Sequence, residues 1–489
     1  MLFNSIGYAV FLPLVCLIYY LLPHRLRWAV LLVFSCYFYM SWNPSLILLI
    51  LFAVLVSWGA GLWVDRLRHP AARRAVLAGG VALCLSTLFF FKYFNFAMGS
   101  LSALFQVFGL TWTPPLLNLM LPVGISFYTF QTLSYIVDVY RGDLAPERHL
   151  GYYALYVSFF PQLVAGPIER AGRLLPQFRQ EHRFSTGQLS QGLRQIGVGM
   201  FKKVVIADTV AGYVNAVYND LGGTTGLTLI GTTLLFAVQI FCDFSGYSDI
   251  AVGSARLLGF ELMENFKSPY FARSVREFWR RWHISLTSWF TDYVYIPLGG
   301  SRCRRAKHLR NLLVTFFLSG LWHGASWTFV CWGVYHGLWL CAESFWGKRL
   351  DSLQQRLQGR PAGLLLGTVR TVVTLGIVTA GWIFFRANSM ADAVYIFTHL
   401  FQGLDPRRIL EYMAPAGMGA MELVLVLVLL AVLALWEGYS YYKGPALDAL
   451  CRAKPAVRYL VYWLLGVSIL AAVLSRPFGA AADFIYFQF

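Results

Sequence analysis

The sequence has 489 residues, of which 58% are hydrophobic and 13% are charged, and its formal net charge is +17. A soluble protein carries about a quarter charged residues, and several uncharged runs here approach the ~20 residues that span a bilayer, so a soluble protein is excluded. The basic residues lie between the apolar runs, as in cytoplasmic loops that face anionic lipid, which argues against nucleic-acid binding.

The apolar runs predict an all-α polytopic membrane protein with roughly 11–13 transmembrane or re-entrant helices. The N-terminal run lacks a basic start and a small-residue cleavage site, which favours a retained first helix. The eight cysteines form no CxxC pair, so neither a disulfide framework nor a metal site is predicted. The predicted spans lie near residues 6–22, 28–42, 46–64, 75–95, 117–138, 150–166, 228–256, 363–385, 421–437 and 459–475.

Positive charge sets the predicted orientation, because loops rich in arginine and lysine stay in the cytoplasm. A membrane domain over residues 1–475 and a tail over residues 476–489 follow, with both chain ends extracytoplasmic. The region 167–227 contains Lys202 and Lys203 and gives no clear trace. The basic loops lie at residues 23–27, 65–74, 348–360 and 443–458.

Residues 265–310 are the most basic stretch and mix arginine with tryptophan and tyrosine. This composition predicts an interfacial, partly re-entrant helix pair that is interrupted at residues 296–300. At its centre stand Arg280, Arg281, Trp282 and His283. These residues either bind an anionic cytoplasmic ligand, such as a phosphate-bearing acyl donor, or place arginines on lipid headgroups.

The apolar segment 311–346 contains one isolated ionisable residue, His323. The loops on both sides are predicted to be cytoplasmic, so the segment must enter the bilayer and return at a glycine-flanked turn. Its first leg of about twelve residues gives about 18 Å of helix, against a hydrocarbon core of ~30 Å. His323 is therefore predicted near mid-depth as a general base, with Trp322 and Trp327 excluding water. The alternative is a neutral imidazole hydrogen-bonded between packed helices.

Two carboxylates, Asp243 and Asp249, interrupt an otherwise apolar run. They are candidates for a proton or cation site or for partners of a buried arginine, and a structural hydrogen-bond role is favoured. The terminal sequence FIYFQF is also unusual, because chain ends are commonly polar. It is either an aromatic anchor at the outer interface or a tail that folds into a cavity and presents the Tyr486 hydroxyl as a nucleophile.

Several long segments together resemble the membrane-bound O-acyltransferase family, in its bacterial alginate O-acetyltransferase branch. The C-terminus is similar to the FIYxxF motif of the lipoteichoic acid D-alanylation system. The matching segments are LPVGISFYTFQTLSYIVDVYRG at 121–142, FFPQLVAGPIER at 159–170, FCDFSGYSDIAVG at 241–253, the basic element at 264–300 and GLWHGASWTFVCWGVYHG at 320–337.

The resemblance implies a funnel of helices around a central tunnel, with His323 at the position of the family's catalytic histidine and His283 at that of its second histidine. It implies no bound cofactor and a cytoplasmic thioester donor, either acetyl-CoA or an acyl carrier protein. Arg280, Arg281, Trp282 and Trp322 are the candidates for binding that donor. The motif match implies that Tyr486 carries the acyl group.

The favoured hypothesis is therefore an O-acetyltransferase of the bacterial inner membrane that serves a cell-surface polysaccharide, alginate-like or cellulose-like. Its partners would be membrane lipid, the donor, a periplasmic acetyltransferase and the polysaccharide synthesis machinery. Peptidoglycan or other cell-wall acylation is the alternative within the same class. A proton-coupled transporter and a non-catalytic scaffold are the alternatives from other classes.

Overall fold

The computed structural model describes residues 1–164, 166–222, 224, 226–405, 411, 413, 417–475, 484 and 485. All regular structure within these residues is helical. The α-helices are α1 Ile6–Leu21, α2 His24–Met40, α3 Ile47–Arg66, α4 Pro70–Leu88, α5 Phe94–Val107, α6 Ile125–Arg141, α7 Leu150–Ser158, α8 Phe160–Leu163, α9 Ala171–Arg179, α10 Thr186–Met200, α11 Asp208–Tyr218, α12 Gly226–Leu257, α13 Val275–Arg281, α14 Ile284–Phe290, α15 Arg305–His323, α16 Trp327–Arg356, α17 Pro361–Arg386, α18 Met390–His399, α19 Ala420–Lys443, α20 Ala446–Arg452 and α21 Pro455–Leu474.

Six stretches in the described part of the chain are long and apolar enough to cross a membrane, which confirms the prediction of an all-α polytopic membrane protein. Each coincides with a predicted span. The six are Pro44–Arg66, Pro70–Val107, Gly226–Leu257, Pro361–Arg386, Ala420–Lys443 and Pro455–Leu474.

Two predicted spans differ from the observed helices. The span predicted from residue 117 begins only at Ile125, because Pro122 and Gly124 precede it and Gly124 has a φ of 75°, in the left-handed region. The span predicted over 150–166 is divided into α7 and α8 at Phe159. Both differences place irregular backbone where hydropathy alone predicts a continuous helix.

The chain forms two units. The first comprises residues 1–196 and 250–263, and the second comprises residues 197–249 and 264–489. In the first unit, Arg179 makes an ion pair of 2.6 Å with the buried Glu147, whose backbone carbonyl accepts a hydrogen bond of 2.8 Å from the Trp58 indole. Both histidines and both aspartates singled out above belong to the second unit.

Helices α15 and α16 form a tight hairpin, as the sequence predicts. Glycines permit this packing: a Cβ on Gly320 would lie 2.3 Å from the Phe329 carbonyl oxygen, and one on Gly333 would lie 2.3 Å from that of Phe316. The Ser326 hydroxyl accepts from the Thr328 N–H and caps the start of α16. Helix α15 begins at Arg305, six residues before the predicted apolar leg, so the whole helix of 19 residues is about 28 Å long and the apolar leg is about 18 Å of it.

The stretch that gave no clear trace contains a π-helical turn at Phe201–Ala207, between α10 and α11. This turn carries Lys202 and Lys203. Gly246 of α12 lies against it, since a Cβ there would be 2.7 Å from the Gly199 carbonyl oxygen and 3.0 Å from the Lys203 nitrogen. The missing side chain lets the two backbones approach closely enough for Lys203 to reach a carboxylate of α12. π-Helical turns often occur at functional sites.

Candidate active site

His323 is the last residue of α15 and lies in an aromatic enclosure. Its ring meets those of Trp332, Trp322 and Phe385 edge to face, at centroid distances of 4.8, 4.9 and 5.2 Å. Only 4% of the residue is exposed. The α15–α16 hairpin supplies both tryptophans, and α17 supplies the phenylalanine. An imidazole in such surroundings is shielded from bulk water, which suits a base that acts on a reactive acyl group.

His283 joins α13 to α14 in a left-handed conformation with a φ of 44°. Its Nδ1 lies 3.3 Å from Oδ1 of Asn265. That oxygen also accepts from the backbone N–H and the hydroxyl of Ser285, at 3.2 and 2.7 Å. The backbone donor fixes the orientation of the amide, so Nδ1 of His283 must carry the proton and Nε2 the lone pair.

The His283 ring is neutral. It lies between two short helices, outside the candidate spans, and burial lowers its pKa to about 3. A left-handed conformation is uncommon for a residue with a side chain and often marks a functional site. Together, the strained backbone and the Asn265 contact hold the imidazole in one orientation and one tautomer.

Trp322 connects the two histidines. Its ring centroid lies 4.9 Å from that of His323 and 5.9 Å from that of His283. The structure therefore brings together two histidines that are forty residues apart in sequence. Trp322, predicted to bind donor, lies between them.

A cavity of about 690 Å³, within the size range of small-molecule sites, is lined by residues of the same helices, among them Thr287 and Ser319. Four arginine or lysine side chains and one histidine line it, together with several hydroxyl groups and aromatic rings. The basic residues are Arg276, Arg280, His308, Arg305 and Lys348.

Two helices lead from the cavity to the histidines. Thr315 and Ser319 of α15 line it, and His323 follows at the same four-residue spacing, hence on the same helix face. On α14, the Thr287 side chain lines it and the Thr287 N–H donates to the carbonyl of His283, at 3.0 Å. Both imidazoles thus lie one helical turn beyond the cavity lining. The spacing of 315, 319 and 323 is visible in the sequence, although our sequence analysis did not use it.

The four residues predicted to bind donor occupy different places. Arg280 lines the cavity. Arg281 pairs with Glu277 at 2.9 Å and lies over the ring of Tyr441. Trp282 is buried in a cluster of aromatic rings that includes Trp382, at 5.0 Å. Arg280 is thus the predicted arginine that faces the cavity.

Asp243 and Asp249 each pair with a lysine of the π-helical turn. Lys203 contacts Asp243 at 2.6 Å and Asp208 at 2.9 Å. Lys202 contacts Asp249 at 3.1 Å and Glu437 at 3.4 Å. Each lysine therefore meets two carboxylates. The Lys203–Asp243 and Lys202–Asp249 pairs join residues 40 and 47 positions apart, so local spacing in the sequence does not reveal them.

The segment that precedes Tyr486 contacts the same region. The Ile485 N–H donates to Oδ2 of Asp243 at 2.7 Å. The Phe484 ring lies 4.5 Å from that of Tyr247 and 5.6 Å from that of Phe244, between centroids. Tyr486 itself lies outside the described residues, so its predicted role as nucleophile stays a prediction.

Comparisons with known proteins agree with this architecture. A model of the membrane-bound O-acyltransferase family matches residues 146–378. The chain is 36% identical to a protein of Pseudomonas putida described as a probable alginate O-acetylase, AlgI, over 98% of both chains. It is 36% identical to the protein of the same description from Pseudomonas aeruginosa, again over 98% of both. It is also 32% identical to a peptidoglycan O-acetyltransferase of Helicobacter pylori, over 81% of this chain and 79% of that protein.

The chain therefore belongs to the membrane-bound O-acyltransferase family, which confirms the resemblance stated from its motifs. It is a multi-pass membrane enzyme that transfers acyl groups to oxygen.

Proposed function

We propose that the protein moves an acetyl group from a cytoplasmic thioester across the bacterial inner membrane, for O-acetylation of a cell-surface polysaccharide. The single observation that carries this proposal is the pair of buried histidines, each one helical turn from the lining of a basic cavity. Nearly full-length similarity to AlgI proteins supports an alginate-like or other exopolysaccharide as the final acceptor.

The cavity supports a phosphate-bearing donor. Its arginines and Lys348 offer charge-assisted hydrogen bonds to phosphate oxygens, whereas the apolar surroundings of His323 suit the acetyl group. Acetyl-CoA and the phosphopantetheine arm of a carrier protein share this chemistry. The basic residues also favour a cytoplasmic opening.

His323 is the proposed base. It takes the proton from the attacking hydroxyl while the hydroxyl oxygen forms a bond to the acetyl carbon. The carbon–sulfur bond then breaks, and the imidazolium returns its proton to the departing thiolate. The products are an O-acetyl ester and a free thiol, so atoms and charge balance without a further reactant. His283, with its lone pair on Nε2, orients the donor or the thiol.

Tyr486 is the proposed first acceptor. Ile485, its neighbour in the chain, is buried and bonded to Asp243, and the Phe244 ring contacts the rings of both Phe484 and His283. This arrangement supports an approach of the tail to the histidines. An acetyl-tyrosine is an aryl ester with a good leaving group, so a periplasmic acetyltransferase can pass the acetyl group to the polymer.

Labelled acetyl-CoA and purified protein test both steps. We expect label on Tyr486 by mass spectrometry, its loss in Tyr486→Phe, and a fall of about 100-fold or more in His323→Ala, which removes a general base. Tyr439→Phe and His69→Ala, which replace exposed residues, serve as controls. Label absent from Tyr486 sinks the relay, and full activity in His323→Ala removes the proposed base.

The polymer is identified in cells. The peptidoglycan O-acetyltransferase relative makes peptidoglycan the second candidate. In a strain that carries His323→Ala, ester-linked acetate should disappear from extracted exopolysaccharide and remain on muropeptides. Loss from muropeptides alone would select peptidoglycan instead.

A further inference from the structure

Asp243 makes two contacts of different kinds. One carboxylate oxygen lies 2.6 Å from the Lys203 ammonium, and the other accepts the backbone N–H of Ile485 at 2.7 Å. The aspartate and the lysine are both almost fully buried, with side-chain exposures of 4% and 2%. A buried carboxylate that accepts a backbone N–H makes a strong, directional contact, because the acceptor is charged and water is excluded.

Phe484, the residue before Ile485, packs among aromatic rings. Phe484 is fully buried, and its ring packs on Tyr247 at 4.5 Å and on Phe244 at 5.6 Å. Both partners follow Asp243 on α12: Phe244 is the next residue, and Tyr247 lies about one helical turn further along. A backbone hydrogen bond and a buried side chain together fix both the position and the register of this segment.

The aromatic rings around Phe484 adjoin the candidate active site. The Phe244 ring contacts both Phe484 and His283, and its centroid lies 4.6 Å from that of His283 in an edge-to-face contact. His283 in turn packs on Trp322, next to His323. A displacement of the Phe484–Ile485 segment therefore changes the placement of whatever follows it relative to the two histidines.

We propose that Asp243, held by Lys203, is a positioning residue that anchors the Phe484–Ile485 segment and so sets the distance between Tyr486 and the acyl group at His323. The proposal rests on the proposed relay through Tyr486. Asp243 takes no part in the chemistry. It lowers the freedom of the acceptor before transfer, which raises the rate of an intramolecular reaction.

The Asp243→Asn variant tests the anchor without removing both carboxylates that pair with Lys203. Lys203 also pairs with Asp208, so Asp243→Asn still leaves the lysine one carboxylate. The single carbonyl oxygen of the new amide would turn to Lys203, and its NH2 group would then face the Ile485 N–H. Two donors in contact repel, so the anchor is lost while the ion pair survives.

Glu437→Gln is the matched control. Glu437 is a buried carboxylate that pairs with the neighbouring Lys202, which retains Asp249 when the charge on Glu437 is removed. Gln at this position keeps an oxygen that can accept from the Ser268 hydroxyl. A second pair changes the tail itself: Ile485→Pro removes the donated N–H, whereas Ile485→Val shortens the same buried side chain by one carbon and keeps the N–H.

Anchoring is measured without any acetyl transfer. A photoreactive benzoylphenylalanine at position 484 of the full-length protein in detergent should cross-link to the α12 peptide that contains Phe244 and Tyr247. The yield should fall about tenfold in Asp243→Asn and in the Ile485→Pro chain, since a hydrogen bond to a charged group is lost. It should stay near the wild-type level in Glu437→Gln and Ile485→Val.

Transfer is then measured with labelled acetyl-CoA. Acetylation of Tyr486 should fall about tenfold in Asp243→Asn and Ile485→Pro, with an unchanged KM for acetyl-CoA and near-normal rates in both controls. An unchanged cross-link yield in Asp243→Asn overturns the anchor. Two results together would keep the anchor and overturn the relay: a cross-link yield that falls in Asp243→Asn, and a wild-type protein that never carries label on Tyr486. The two failures are therefore distinguishable.

Discussion

At the scale of single residues, the site depends on which nitrogen of His283 carries its proton. The Asn265 oxygen accepts from Nδ1 of His283 and from two donors of Ser285, so this one amide fixes the tautomer. The amide nitrogen of Asn265 has a weaker role, since it donates to Ser248 at 3.3 Å. The two ends of one side chain therefore differ in importance.

We expect Asn265→Leu, which keeps the size and removes the acceptor, to lower kcat about tenfold with little change in KM for acetyl-CoA. Asn265→Asp keeps an accepting oxygen and should recover most of the rate. Ser248→Ala removes only the weaker contact and is the control. Equal losses in all three variants, measured with labelled acetyl-CoA, would contradict the role given to the oxygen.

Prediction from sequence succeeds for some of these residues and not for others. His323 and His283 are identifiable because each is an ionisable or motif-bearing residue in a distinctive local context. Asn265 and Lys203 are not, because their roles arise from contacts with residues 18 and 40 positions away. Neither hydropathy nor local spacing carries that information.

At the scale of helices, the cavity is a product of where basic residues fall on α13, α15 and α16. Arg280 is an exposed residue in the last turn of α13. Lys348 lies on α16 after its apolar part, and both residues line the cavity. In the sequence, Arg280 belongs to a basic element, whereas Lys348 begins a predicted cytoplasmic loop. Their meeting around one cavity follows from the hairpin packing, which the sequence predicts only in outline.

We expect the double variant Arg280→Ala and Lys348→Ala to raise KM for acetyl-CoA about tenfold or more, because two charge-assisted phosphate contacts are lost. The effect should shrink with acetyl-phosphopantetheine, which has fewer phosphates, and with added salt. Arg302→Ala combined with Arg304→Ala removes the same charge from exposed positions outside the cavity lining. A KM equally raised in that control would show an effect of net charge alone.

At the scale of the whole molecule, stability has a component that depends on pH. Glu169 is fully buried in the first unit, outside the candidate spans, and its side chain accepts the backbone N–H of Met263. Burial raises the pKa of this carboxyl to about 7, against the opposing effect of that hydrogen bond and of Arg173 and Arg170. The folded state therefore holds a proton that the unfolded chain releases near pH 4.5.

The direction in which stability changes with pH follows from proton linkage. A carboxyl with a raised folded-state pKa contributes stability that is complete below about pH 4.5 and is lost as pH rises to about 7, a change on the order of 3 kcal/mol. Glu169→Gln should flatten this part of the profile, measured as the midpoint of thermal unfolding in detergent against pH. Glu261→Gln, an exposed carboxyl of the same unit, should leave the profile unchanged. A slope that persists in Glu169→Gln contradicts the assignment.

Hydropathy predicts the six long spans to within a few residues at most ends, because a span is a local property of composition. It fails at Gly124 and Phe159, where backbone geometry interrupts apolar sequence. The π-helical turn that carries the two lysines is also invisible in composition, since its close contact with Gly246 belongs to another helix.

The glycine contact between α15 and α16 has a consequence for biogenesis. Gly320 and Gly333 are close in sequence, so the hairpin packs without closing a long loop, as soon as α16 has been synthesised. The contact between Trp332 and His323 can form at that stage. Phe385 is synthesised later, with α17, and the Phe484–Ile485 segment is synthesised after α21. A chain whose synthesis stops before that segment therefore contains His323 and Trp332 but not the proposed acceptor, Tyr486.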